Sequence, residues 1–355
     1  MKKLKIGKKN IGEKYQTYFI ADIGANHDGS LLRAKKLIEL AKKSGADAAK
    51  FQHFSAKTIV SDYGFKQLNG VKSHQSKWKK SIFQVYQAAS ISKSWTKILY
   101  KHCRKIGIEF MTSPYAIDIV DEINPYVNSI KIGSGDITWI DIIKKIASKN
   151  KVTILATGAS DLKEVKLATK TILKKNKKLI LMQCNTNYTG NSQNISYVNL
   201  NVLKTYKKLF PNLILGLSDH TSGHASVLGA VSFGARVIEK HFTDDNSRIG
   251  PDHSFAMNPY TWKMMVDETR NLERSLGDGK KKVEKNELSA MVVQRRSIRA
   301  IQNLKKGTIL KENMLTYLRP CPNGSLSPIK KNKLINKRLI KDKKFHEIIT
   351  LSDIL

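Results

Sequence analysis

Along the chain, short apolar runs rich in β-branched residues alternate with longer segments whose apolar side chains recur every three or four positions. The first pattern predicts strands and the second amphipathic helices. Eight strands are predicted, at Tyr18–Asp22, Ala48–Gln52, Ile108–Met111, Ser129–Gly133, Val152–Ala156, Leu179–Gln183, Leu213–Leu217 and Arg236–Lys240. Each is followed by a helical segment, in turn Leu31–Lys43, Ser94–Lys105, Ala116–Ile123, Ile140–Ala147, Leu162–Lys174, Tyr197–Leu209, Ser222–Phe233 and Pro259–Leu276. Capping residues support two helix starts: Asp28-Gly29-Ser30 before the first, and Ser160-Asp161 with Glu164 three residues after Asp161. Eight strand–helix alternations are the count of a (β/α)8 TIM barrel, an α/β fold. A doubly wound open sheet is the competing arrangement, but no GxGxxG motif follows the first strand.

Two departures from the pattern define further parts. The segment from His53 to Ser81 is too long for a simple strand-to-helix loop. With Tyr63, Gly64, Phe65, Gln67, His74, Gln75 and Trp78, it is expected to act as a lid or substrate wall. After Leu276 the run Gly277-Asp278-Gly279 and three lysines ends the barrel pattern, and Asn286–Val293 reads as a short helical linker. Beyond Arg295 the strands are short, with turns at Lys306-Gly307 and Pro320–Gly324. The expected organisation is a barrel over 1–280, a linker over 281–294 and a small β-rich domain over 295–355. Within that domain, Gly307–Leu315 faintly echoes the apolar pattern of Ile348–Leu355.

Composition narrows the partners. With 41% apolar residues the 355-residue chain can bury a sizeable core. No run reaches the roughly 20 apolar residues of a membrane span. The basic start lacks the apolar stretch of a secretory signal. Cys103, Cys184 and Cys321 are widely spaced, which suits a reducing cytosol better than a disulfide framework. The formal charge of +34 invites a nucleic-acid reading. Against it, the excess is mostly lysine spread over polar helix faces, whereas base readout favours arginine, and no RNA- or DNA-binding signature accompanies it.

The chemistry gathers at the carboxyl ends of the predicted strands, the face on which parallel α/β proteins bind ligands. His220 and His241 fall just past the ends of two successive strands, and Asp252 and His253 follow. Two imidazoles brought together there suit a divalent metal of the Zn or Mn type. Lys50 and Gln52 share a face by the two-residue period, and Lys131 occupies the fourth strand. Inward-facing lysines require an anionic ligand or carboxylate partners, for which Asp22 and Asp136 stand in sequence. Thr112, Ser113 and Ser134 add small hydroxyls. Lysines, hydroxyls and Gly-flanked amides suit a phosphate and a carboxylate on one small molecule. With a metal to polarise a carbonyl and carboxylates for proton transfer, the sum is C–C bond formation between a phosphorylated enol and an aldehyde. A lysine Schiff-base aldolase is the alternative from the same lysines, though it would not need the histidines.

Ordered blocks along nearly the whole chain (IADIGANHDGS, DAAKFQ, FMTSPY, KIGSGDI, ATGAS, GLSDHT, VIEKHFT, GPDHSF, then RRSIRA and RP…GSLSP) carry a resemblance. The chain resembles the sialic acid synthase family, phosphoenolpyruvate-condensing transferases that make N-acetylneuraminate and related nonulosonates. The resemblance implies a TIM barrel joined to a C-terminal antifreeze-like (SAF, β-clip) domain. It also implies a cytoplasmic homodimer in which that domain caps the partner's site. Carried over residue by residue, it makes Lys50, Gln52, Thr112, Ser113, Lys131 and Ser134 phosphoenolpyruvate-binding. His220 and His241 become ligands of Mn2+ or Mg2+, which holds the open-chain amino-sugar aldehyde. Asn187, Tyr188, Asp252 and Arg319 become sugar contacts, and Asp22 and Asp136, with Lys50 and Lys131, catalytic. Asp22 and Asp136 stand where the family commonly has Glu. Ala159 replaces a usual Met, and Gly190 an expected Pro. The implied acceptor is N-acetylmannosamine-like, with a diacetamido-6-deoxyhexose of the legionaminic or pseudaminic series, or a 6-phosphorylated sugar, as alternatives.

Overall fold

The structure is a computed structural model that describes residues 3–68, 80–189 and 191–355; His74, Gln75, Trp78 and Gly190 lie outside them. The chain divides into two compact units, Met1–Gly277 and Asp278–Leu355.

The first unit opens with a hairpin of β1 (Leu4–Ile6) and β2 (Lys9–Ile11). Gly7, at φ +55°, supplies the left-handed backbone of its turn. Eight parallel strands follow: β3 (Tyr18–Asp22), β4 (Ala48–His53), β5 (Glu109–Pro114), β6 (Ser129–Ile132), β7 (Val152–Ala156), β8 (Leu179–Cys184), β9 (Ile214–Asp219) and β10 (Ala235–His241). They close into a barrel, β10 pairing back onto β3, as the strand–helix alternation predicts.

The outer helices are α1 (Leu31–Lys43), α2 (Ala56–Ile59), α3 (Asp62–Gln67), α4 (Ile82–Ala89), α5 (Lys93–Ile106), α6 (Ile117–Ile123), α7 (Ile140–Ser148), α8 (Leu162–Lys175), α9 (Val202–Leu209), α10 (Ala225–Ser232) and α11 (Pro259–Ser275). Ser30 caps α1 through Arg33 N–H, and Asp161 and Glu164 form the capping box of α8. Two helices start later than their apolar pattern suggests. Asn199 (φ +49°) and Gly223 (φ +70°) adopt left-handed backbone, which delays α9 and α10.

One core lies between barrel and helices, with Phe19, Phe51, Leu155 and Leu181 against side chains such as Leu37, Ile143 and Ile172. A second fills the barrel interior: Ile20, Met111, Ile154, Ile180 and Val237 pack with Ile6 and Ile11 of the hairpin. The hairpin therefore stoppers the amino-terminal end of the barrel, a role its short strands did not disclose in sequence.

In the second unit, α12 (Leu288–Gln294) precedes an antiparallel pair, β11 (Ser297–Ala300) and β12 (Leu315–Leu318). Isolated bridges Leu304–Lys343, Ile309–Arg338 and Leu339–Ile354 complete the small β-rich fold around Ile298, Leu310, Leu334, Leu339 and Ile349. The weak echo has a structural counterpart. A turn, a bridge at Ile309 and a 3-10 turn at Glu312–Met314 are matched by a turn, a bridge at Ile348 and a 3-10 turn at Leu351–Asp353.

Candidate active site

At the carboxyl ends of the strands lies a cavity of about 390 Å3, wholly within the first unit. Strand alternation decides what enters it. Asp22, Lys50, Gln52, Ser113, Lys131, Ser218, Glu239 and His241 line it from the strand ends; Ser134, Asp136, Tyr188, His220 and Asp252 reach it from the loops.

Two buried ion pairs form its base. Lys50 Nζ lies 2.6 Å from Asp22 Oδ2, which also accepts from Gln52 Nε2 at 3.0 Å. Burial works against a charge on Asp22, but the Lys50 ammonium outweighs it, with help from His241 and Lys131, and holds the carboxyl below its usual range. Burial likewise opposes a charge on Lys50, yet Asp22 and Glu239 raise its pKa. Lys131 Nζ contacts Glu239 Oε1 at 2.8 Å, and Ser218 Oγ supports the same oxygen at 3.2 Å. Asp22 and Asp136 were the carboxylates expected for the two lysines if no anionic ligand served them, and Asp136 pairs with neither. That residue instead stands apart on the Ser134–Asp136 turn, where burial alone raises its pKa from 3.8 to about 6.

The imidazoles of His220 and His241 face each other with centroids 5.5 Å apart, flanked by Tyr188 at 4.3 Å from His220 and Phe255 at 5.0 Å from His241. His220 Nδ1 lies 2.9 Å from the Asn185 carbonyl, so it carries the proton and leaves Nε2 as a donor atom. Burial opposes protonation of His220, but Cys184, the Asn185 carbonyl and Asp219 outweigh it and raise its pKa. Burial, only partly offset by Asp252 and Asp22, keeps His241 neutral. His241 Nδ1 is buried, has no hydrogen-bond partner among the described residues and lies 3.5 Å from Asp252 Oδ2. A Cβ on Gly24 would come within 2.8 Å of Asp252 Oδ2 and 3.3 Å of His241 Nδ1, so this corner tolerates no side chain at position 24. Two nitrogen donors beside a carboxylate suit a divalent ion. Among the described residues no group of three or more His, Cys, Asp or Glu converges as a complete metal site, so substrate or water oxygens would have to complete the coordination.

Other sequence expectations fall outside the cavity. Adjacent strand residues face opposite ways, so Thr112 turns from Ser113 and bonds His53 Nδ1 (2.6 Å) and the Phe51 carbonyl (3.0 Å). Asn187 is exposed and bonds Thr189 and Asn194. The fully buried His253 is tied to Thr243 (2.7 Å) and Asp28 (2.9 Å), not to the histidine pair. Arg319 is an exposed residue of the second unit. Of the long segment from His53 to Ser81, Phe54 and Ile59 line the cavity and Tyr63 is largely exposed; Val85, Tyr86 and Ala89 of α4 continue the wall. Glu239 received no role from sequence, although its place two residues before His241 puts it on the same face. Three buried polar atoms of cavity-lining residues, Ser113 Oγ, Glu239 Oε2 and His241 Nδ1, have no hydrogen-bond partner among the described residues. Orphaned groups of this kind mark a ligand site.

A closed parallel barrel with charged side chains and two imidazoles converging on a cavity at its carboxyl end is the architecture of an enzyme active site. The chain belongs to the NeuB family, whose profile matches residues 37–281, and a SAF domain matches residues 295–355. It is 37% identical to the N,N'-diacetyllegionaminic acid synthase of Campylobacter jejuni over 94% of this chain and 99% of that one. It is 33% identical to a pseudaminic acid synthase of Campylobacter jejuni over 99% of each chain. Among solved structures, the N-acetylneuraminic acid (sialic acid) synthetase of Leptospira borgpetersenii superposes with a TM-score of 0.71 at 26% identity, covering 82% of this chain and 95% of that one.

Proposed function

We propose that the protein is a nonulosonate synthase that condenses phosphoenolpyruvate with an open-chain amino-sugar aldehyde and releases phosphate by C–O cleavage. The observation that carries this reading is the meeting of two buried lysine–carboxylate couples with two neighbouring imidazoles in one cavity, where three buried polar atoms have no hydrogen-bond partner among the described residues.

Lys50 and Lys131 hold the carboxylate and phosphate of the enol, with Ser113, Ser134 and Gln52 beside them. Asp22 and Glu239 balance the ammonium charges until the substrate arrives. His220 and His241 would hold Mn2+ or Mg2+, which when bound supplies Lewis-acid polarisation of the aldehyde oxygen. C3 of the enol forms the new bond to the aldehyde carbon, water adds at C2, and the C–O bond to phosphate breaks. The base for that water is Asp136, whose pKa of about 6 lets it be ionised at neutral pH and still take up a proton. Asp22, held ionised by Lys50, provides fixed negative charge; the two carboxylates are pushed apart in acidity by their surroundings. The raised pKa of Lys50 keeps its amine protonated and argues against a Schiff base.

The 37% identity to a diacetyllegionaminic acid synthase supports a diacetamido acceptor, and the apolar wall of Phe54, Ile59 and Val85 suits a deoxygenated carbon. A homodimer in which Arg319 of one copy serves the other's sugar pocket, and a cytoplasmic location, belong to the same proposal. Among the described residues no helix is long and apolar enough to cross a membrane. The test is phosphate release from phosphoenolpyruvate with Mn2+, against N-acetylmannosamine, its 6-phosphate and the two diacetamido sugars. Turnover with one acceptor, lost on chelation, establishes the reaction; silence across the panel in a folded, metal-loaded protein overturns it.

A further inference from the structure

Asp219 and Lys240 occupy paired positions on β9 and β10 and form an ion pair of 2.5 Å whose side chains are each 1% exposed. Neither lines the cavity. Alternation sends Ser218, His220, Glu239 and His241 inward and turns this couple outward against α10, where Ser226 Oγ donates to Asp219 Oδ2 at 2.6 Å. The backbone N–H and hydroxyl of Thr221 bond Asp219 Oδ1 at 3.1 and 2.9 Å. Lys240 Nζ also donates to the Thr221 carbonyl at 2.6 Å. One ammonium thus grips the residue before His220 and the residue after it, and it belongs to the residue immediately before His241.

Energetics indicate what such a couple is for. Two fully desolvated charges seldom gain stability over apolar side chains of the same size, while removing one partner leaves a costly unpaired charge. The helix–barrel layer around it is otherwise filled by residues such as Val227, Ala230 and Ile238. A leucine and a methionine would serve packing there. What they would not do is link the residues on both sides of His220, through the Asp219 carboxylate and the Thr221 carbonyl, to the residue before His241. We propose that Asp219 and Lys240 are positioning residues that set the separation and orientation of the two imidazoles, and through them the affinity for a divalent cation. This rests on reading His220 and His241 as metal ligands.

The experiment titrates the full-length protein with Mn2+ alone, following free Mn2+ by its paramagnetic resonance signal, for the wild type, Asp219→Asn with Lys240→Met, and Ser226→Ala. The double variant removes both charges together, so no ion is left unpaired. It is expected to melt within a few degrees of the wild type and to bind Mn2+ about 10- to 100-fold more weakly, as for other groups that orient metal ligands. Its KM for phosphoenolpyruvate, set by Lys50 and Lys131, should stay within about twofold of the wild-type value. Ser226→Ala loses only one hydrogen bond to the couple and is expected to weaken Mn2+ binding about threefold. Wild-type Mn2+ affinity in a folded double variant overturns the proposal. If the double variant does not fold, unchanged affinity in Ser226→Ala overturns it. A wild type that binds no Mn2+ overturns the metal reading itself, and the positioning role falls with it.

Discussion

Replacing Asp136 by Asn separates the cost of a buried acid from its use. Its pKa is raised from 3.8 to about 6 because the folded protein desolvates the carboxylate. A shift of this size corresponds to about 3 kcal/mol against the ionised form. Because Asp136 is only partly buried, solvent screening reduces the expected effect to about 1–2 kcal/mol. The direction follows from linkage. With the folded pKa above the unfolded one, the native state binds more protons between pH 4 and 6, so stability is lost as pH rises through that window. Asn carries no such penalty. Asp136→Asn is therefore expected to be more stable than the wild type at pH 7.5 by about 1–2 kcal/mol, with the advantage vanishing below about pH 4. Paired urea denaturation curves at the two pH values measure it.

The same substitution removes the proposed base. Phosphate release should fall by about 100- to 10,000-fold. The wild-type rate should show an acid limb with an apparent pKa near 6 that is missing from the residual rate of the variant. A variant that is no more stable at pH 7.5 and turns over within threefold of the wild type refutes both halves of the reasoning.

Other perturbations test the rest of the architecture. Lys131→Met leaves Glu239 buried without its ammonium and should cost about 3–5 kcal/mol; adding Glu239→Gln should restore stability, measured by denaturation, but not turnover. His241→Ala should abolish metal-dependent phosphate release and weaken Mn2+ binding, and full activity in that variant would sink the metal role. Ile11→Ala, in a fully buried hairpin position, should destabilise by about 2–4 kcal/mol with kcat unchanged in the folded fraction.

Much of this was legible because barrel strands announce themselves twice, by continuous apolar runs and by polar residues placed just beyond them. The paired placement of His220 and His241, and of Lys50 with Gln52, followed from that periodicity. What escaped was set by tertiary contact. Thr112 and Ser113 are adjacent hydroxyls that only the pleat tells apart, and Asp136 and Glu239 were equally available in sequence as partners for Lys131. The hairpin at Leu4–Ile11 has two apolar anchors too short to register as strands, and they acquire meaning only inside the barrel mouth they fill. Left-handed Asn199 and Gly223 broke helices whose apolar spacing ran on without them.

That hairpin makes the barrel a blind well, and a blind well imposes an order of traffic. Ile6 and Ile11 shut its floor, so everything that enters must leave by the same mouth. The side chains of Lys50 and Lys131 are 2% and 4% exposed, whereas Asp252 is 16% exposed, so the anchors proposed for the enol lie deeper than the contact proposed for the sugar. A sugar seated first would cork the enol out. Steady-state kinetics should therefore be compulsory-ordered, with phosphoenolpyruvate loading before the aldehyde and excess aldehyde slowing turnover at low phosphoenolpyruvate.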